Sequence, residues 1–124
     1  MIYLLDTDIT IYWMKGNKTI SNKVVNIGFS NVGISDLTRA ELYYGAYKSK
    51  RINENLTAIK ILEDKINFIP FNEPAQSLFG QIKAKLENIG KRLDDMDIMI
   101  ASTAIAYNLT LITNNINHFE RITE

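Results

Sequence analysis

Short apolar runs alternate along this chain with longer stretches whose apolar residues recur every three or four positions. The runs are Ile2 to Leu5, Val32 to Ile34, Ile66 to Ile69 and Leu109 to Ile112, each bounded by polar or turn-forming residues, and they read as buried strands. Helical patterns fill the intervals: Ile9 to Lys15, Ser21 to Phe29, Leu37 to Ser49, Asn53 to Asp64, Pro74 to Asn88 and Ile98 to Tyr107. Strands that alternate with helices predict an α/β fold with a parallel sheet covered on both faces. Pro70 closes the third strand, and Pro74 suits the first turn of the next helix, where a missing N–H costs nothing. Leu37, Ala40, Glu41, Tyr44 and Tyr47 fall on one stripe by three-and-four spacing, which predicts an inward-facing Glu41 carboxylate on an otherwise apolar face. The last helix is apolar nearly all round, so Asp97 is expected to open a core helix.

Composition narrows the picture without changing it. With 124 residues, 46% of them hydrophobic and 23% charged, and only two prolines, the chain suits one globular domain spanning residues 1–124 with a core that needs no staples. No run reaches the roughly 18 apolar residues of a membrane span, and the amino terminus has no basic region leading into a long apolar segment; no membrane role and a cytoplasmic location are expected. The absence of cysteine and the presence of one histidine, His118, exclude a thiolate nucleophile, a disulfide framework and a cluster of imidazole ligands. Any metal must therefore be held by oxygen. The net charge is zero, so attraction of a polyanion would fall to local patches. Lys48, Lys50 and Arg51 form one such cluster, and Lys83, Lys85, Lys91 and Arg92 another; favourable charge at helix carboxyl ends explains both equally well.

Four polar positions stand where apolar runs meet helix starts: Asp6, Glu41, Asp97 and Asn115. An isolated buried carboxylate is costly to desolvate, so acids beside core-forming segments call for a partner or a cation. Each also has a plain structural reading. Asp6 can cap the first helix, and Thr38 with Glu41 has the spacing of a capping box. Asp94, Asp95 and Asp97 can stabilise a helix amino terminus, while Asn115 can serve a turn. Independent caps need not coincide with the end of a first strand, an inner helix stripe and the start of a buried helix, and this conjunction favours a carboxylate site. In α/β sheets such sites form at the carboxyl ends of strands, where the strand order switches. Tyr12, Trp13, Tyr43 and Tyr47 are read mainly as packing residues.

The residues that carry this pattern also carry a resemblance. Asp6 ending the first strand, Thr38-Arg39-Ala40-Glu41-Leu42-Tyr43-Tyr44-Gly45 in a helix, Asp97-Ile98-Met99-Ile100-Ala101 opening another, and Leu111-Ile112-Thr113-Asn114-Asn115 before His118-Phe119 resemble the PIN domain. Within that family the chain is similar to VapC-type ribonuclease toxins of toxin–antitoxin modules. The resemblance implies a three-layer α/β/α domain that cleaves RNA with Mg²⁺ or Mn²⁺, works as a homodimer and is inhibited by a cognate antitoxin. It also implies that Asp6, Glu41 and Asp97 form the metal-binding triad. Asn115 falls where many relatives have a further Asp, which leaves the site one charge short, and Asp94 or Asp95 could compensate in part. Relatives commonly continue past Phe119-Glu120-Arg121-Ile122 into a final strand, whereas this sequence ends at Glu124. A rival reading takes Asp6-Thr7-Asp8-Ile9-Thr10 as the nucleophile motif of a haloacid-dehalogenase-type phosphatase; it leaves Glu41 unexplained and lacks the later strand-borne acidic pair. A third reading is a non-catalytic PIN-like binding module whose acidic site no longer holds metal.

Overall fold

The computed structural model describes residues 2–114. Its elements run β1 (Tyr3–Leu5), α1 (Thr7–Met14), α2 (Lys18–Ile27), a single 3-10 turn (Phe29–Asn31), β2 (Val32–Ser35), α3 (Asp36–Lys48), α4 (Ile52–Glu63), β3 (Asn67–Ile69), α5 (Glu73–Asn88), α6 (Asp95–Ala106) and β4 (Thr110–Ile112). Each strand and helix anticipated from the apolar pattern is present. The differences lie at helix starts, where polar side chains place the boundary. Asn17 caps α2 by accepting from the Ile20 N–H at 3.1 Å, so the helix starts at Lys18, ahead of the Ser21 start that the apolar pattern predicts. Asn72 does the same for α5 through Ala75, with Pro74 inside the first turn as expected.

The sheet has strand order β3-β2-β1-β4, with all pairings parallel. The chain builds outward from β1 through β2 to β3, then returns to place β4 on the other side of β1. Register pairs Leu5 with Ile34 and Ile112, and Leu4 with Gly33 and Leu111. The period-two alternation of strand side chains then sorts the core. Leu5, Val32 and Ile34 point to one face and pack with Ile9, Val24, Leu42, Ala46, Ile59 and Leu62 from α1 to α4. Leu4 and Ile69 point to the other, against Ile100 and Ala104 of α6. Behind them Ile98 and Ala101 of α6 meet Leu86 of α5. The result is the three-layer α/β/α arrangement.

One expectation about α3 is corrected. Its buried residues are Thr38, Leu42 and Ala46, whereas Tyr44 and Tyr47 are 67% and 62% exposed. The inward stripe is thus rotated by one residue, about 100°, from the one predicted over Leu37, Ala40, Glu41, Tyr44 and Tyr47. Aromatic and aliphatic bulk suggested that stripe, but the helix turns Thr38, Leu42 and Ala46 to the core instead. Tyr12, also expected to pack, is exposed; Trp13 stacks on Phe29 with ring centroids 6.2 Å apart, and Tyr43 bonds Glu63 at 3.3 Å. α6 fulfils its expectation, with Ile98, Ile100, Ala101, Ser102, Thr103 and Ala104 all buried.

Ile34 is fully buried at the centre of the sheet. Ile34→Ala is expected to lower unfolding stability by about 2–5 kcal/mol, the range for truncating a large core aliphatic. Urea denaturation checks this as a reduced midpoint with an unchanged slope.

Candidate active site

The strand order reverses between β1 and β4, and it is at the carboxyl ends of strands beside such a switch that open α/β sheets bind ligands. Asp6 stands there as the residue that follows β1. It is 3% exposed, and the Asp6 N–H donates to the Ile112 carbonyl at 3.1 Å, carrying the sheet ladder one step past the strand. The capping reading of its side chain holds for one of its two oxygens. Oδ1 accepts from the Ile9 N–H at 2.9 Å and so caps α1, while Oδ2 accepts from the Thr113 hydroxyl just beyond β4.

Glu41 reaches the same region from α3. The capping-box reading fails, because Ser35 caps α3 through the Leu37 N–H at 3.0 Å and Glu41 lies beyond the first turn. Its Oε1 instead accepts from the Thr7 hydroxyl, and Thr7 in turn lies 3.1 Å, oxygen to oxygen, from the hydroxyl of fully buried Thr38. Glu41 is half-buried, on the flank of the helix rather than on its inward stripe.

The acidic run before α6 separates into distinct tasks. Asp94 caps the helix by accepting from the Met96 N–H at 3.1 Å. Asp95 turns to α5 and pairs with Lys83 at 2.9 Å, so it does not supply the missing charge. Asp97, in the first turn and half-buried, is close enough to act electrostatically on both Asp6 and Glu41. Asn115 lies outside the described residues, as do His118 and the segment expected to form a final strand.

Burial is the main cause that pushes the Asp6 carboxyl above its ordinary value. The hydrogen bonds from Thr113 and Ile9 oppose the rise, and repulsion from Asp8 and Asp97 adds to it. Glu41 is raised in the same way, by burial first, with Thr7 opposing and Asp94, Asp8 and Asp97 adding. Among the described residues neither Asp6 nor Glu41 has an ion-pair partner. Buried or half-buried carboxyls such as Asp6 and Glu41, raised by desolvation and by neighbouring negative charge, form a place where a cation is favoured. Among the described residues no three acidic side chains stand close enough together to hold a metal ion between them, so at most one or two of them could ligate the same ion. An open set of oxygen donors suits a hard ion such as Mg²⁺, which keeps several of its waters and needs only one or two carboxylates.

The hydroxyls of Thr7, Thr38 and Thr113 are the part of the site that motif reasoning missed. From sequence, Thr7 enters through the phosphatase motif and Thr38 through the capping box. The signal that could have found them is a threonine directly after the strand-end aspartate and another three residues before the helical glutamate.

Acids at the end of β1, on α3 and at the start of α6, around the point where the strand order reverses, define a class of acidic-site α/β domains. A model of the PIN domain matches residues 3–124, and the chain belongs to the PIN-domain family. Within that family it is 37% identical to Ribonuclease VapC2 of Rickettsia felis over 124 residues, covering 98% of this chain and 92% of that protein. It is 33% identical to the tRNA(fMet)-specific endonuclease VapC of Shigella flexneri over 120 residues, 97% of this chain and 91% of that one. The crystal structure of DNA-bound VapBC from Salmonella typhimurium superposes with a TM-score of 0.92 at 32% identity, covering 98% of this chain and 92% of the other. The phosphatase reading falls with this result and on geometry: Asp8 is exposed on the first turn of α1, and Thr10 bonds back to the Asp6 carbonyl at 2.7 Å. The five-residue motif is a capped helix start.

Both carboxyl shifts are upward, so the folded protein keeps these protons to higher pH than the unfolded chain does. As pH rises above the ordinary values of 3.8 for Asp6 and 4.5 for Glu41, the unfolded state binds fewer protons and stability falls until the folded values are passed. The metal-free Glu41→Gln variant, which keeps an oxygen for Thr7, is therefore expected to melt at a higher temperature than wild type at pH 7, with the gap closing as pH falls below 4.5. Identical melting temperatures across that range would contradict the assignment.

Proposed function

We propose that this chain is a metal-dependent endoribonuclease, the toxin of a toxin–antitoxin pair, which hydrolyses RNA phosphodiester bonds with Mg²⁺ or Mn²⁺. The observation that carries the reading is the meeting of Asp6, Glu41 and Asp97 in one electrostatic neighbourhood at the sheet's switch point, in a chain whose relatives are named ribonucleases over nearly their full length. Asp6, Glu41 and Asp97 would hold the cation, one or two of them directly and the rest through its waters, and Asn115 would add a neutral oxygen. A bound Mg²⁺ or Mn²⁺ supplies an activated water and charge stabilisation at the phosphate.

The chain's own residues do the rest. Asp6 fixes the position of the site relative to the sheet, since its backbone belongs to the ladder and one of its oxygens to the α1 cap. Glu41 is held by Thr7, and Asp97 sits on a helix whose inner side is fully packed, so neither is free to collapse onto the other. The acids repel a phosphodiester in the absence of a counter-ion, which makes metal and substrate binding mutually dependent. A cognate antitoxin and a second copy of the chain are the expected protein partners. Exposed Tyr12, Tyr44, Tyr47, Ile52 and Ile61 leave apolar surface on α1, α3 and α4 for such contacts. Among the described residues no helix is long and apolar enough to cross a membrane.

Purified protein with Mn²⁺ is expected to cut RNA, and EDTA to stop it. Asp97→Asn, with its circular dichroism unchanged, is expected to lose at least about a hundredfold in rate, since even loss of a residue supporting a ligand commonly costs 10–100-fold. A folded wild-type protein that neither binds Mn²⁺ nor cuts RNA would leave the non-catalytic binding module as the correct reading.

A further inference from the structure

We infer that Thr38 is a positioning residue, the buried root of a hydroxyl relay Thr38 to Thr7 to Glu41 that aims the Glu41 carboxylate into the site. The inference rests on the assignment of Glu41 to the metal-binding set and adds a residue that directly contacts neither metal nor RNA.

The proton count fixes the direction of the relay. A threonine hydroxyl has one hydrogen to donate and can accept as well. Thr7 gives its hydrogen to Glu41 Oε1, so the 3.1 Å contact between the Thr7 and Thr38 oxygens must be donated by Thr38. A hydroxyl that accepts one hydrogen bond becomes a better donor in the next. Thr38 thereby strengthens the grip of Thr7 on the carboxylate and fixes the rotation of the Thr7 hydroxyl, which a lone threonine would leave free.

Other buried helical threonines in this fold behave differently. Thr10 and Thr103 donate to the carbonyl four residues earlier, at 2.7 and 2.8 Å, the usual local solution for such residues. Thr38 is just as buried, yet its hydroxyl meets a side chain 31 residues away on another helix. Thr38 also occupies the inward stripe of α3, with Leu42 and Ala46 in the turns that follow. Packing therefore holds its methyl and backbone while the hydroxyl faces Thr7. A relay rooted in the core hands that rigidity to Glu41, which is itself only half-buried.

The test uses Thr38→Val, which keeps the shape and removes the hydroxyl, and Thr38→Ser, which keeps the hydroxyl. Two quantities are read on the full chain: the Mn²⁺ dissociation constant by titration calorimetry, and the order of the Glu41 side chain by NMR relaxation in the metal-free protein. Thr38→Val is expected to weaken Mn²⁺ binding roughly tenfold or more, in the range seen when an outer hydrogen bond to a ligand is lost, and to lower the order of Glu41. Thr38→Ser is expected to restore both. In a Thr7→Val background Thr38→Val is expected to change neither, because the relay is already broken. Unaltered Mn²⁺ affinity and Glu41 order in folded Thr38→Val would overturn the inference, as would an equal loss in the Thr7→Val background. If the valine variant does not fold, Thr38→Ala takes its place in the same cycle. A wild type that binds no Mn²⁺ would defeat the ligand assignment instead, and Glu41 order in the metal-free protein would still decide the relay.

Discussion

A carboxylate buried at the end of the central strand is the constraint on which the rest of this structure depends. Asp6 can stay there because the local chain answers its oxygens: the amino terminus of α1 supplies a backbone N–H, and the end of β4 supplies a hydroxyl. Both donors exist only if α1 starts immediately after β1 and if β4 returns to pair with β1. The strand order, the first helix and the last described strand are thus tied to one side chain. The remaining desolvation cost shows as the upward shift of its carboxyl, and a cation is the natural means of offsetting it.

The other acids approach from opposite sides of the sheet, close enough for Asp97 to act electrostatically on both Asp6 and Glu41. Glu41 comes from a helix in the α1 to α4 layer, and Asp97 from α6 in the layer behind. Each is mounted on a helix whose own core contacts are apolar, so packing energy unrelated to the site holds the charges at their separation. Threonine hydroxyls then set the orientation of individual carboxylates.

α3 shows how one helix serves core, site and surface at once. Its inward stripe of Thr38, Leu42 and Ala46 joins the core, Glu41 occupies the flank, and Tyr44 and Tyr47 remain in solvent, with Lys48 over the Tyr44 ring at 5.6 Å. Large aromatics outside and small residues inside invert the usual expectation, which is why hydrophobic bulk misjudged this helix.

The sequence by itself determined the alternation of strands and helices, the parallel sheet and the oxygen-only chemistry, because strand runs, helical spacing and the absence of cysteine are local or compositional facts. It also marked Asp6, Glu41 and Asp97, since a charge beside an apolar run is visible without coordinates. The tertiary structure alone decided what each charge faces. Asp95 was separated from Asp97 by a lysine twelve residues upstream, and the apparent capping box of Thr38 and Glu41 gave way to Thr7, more than thirty residues before either. Hydrogen bonds and desolvation act over a few ångströms of space regardless of distance along the chain, so the partners of a buried acid are settled only when the fold has brought them together.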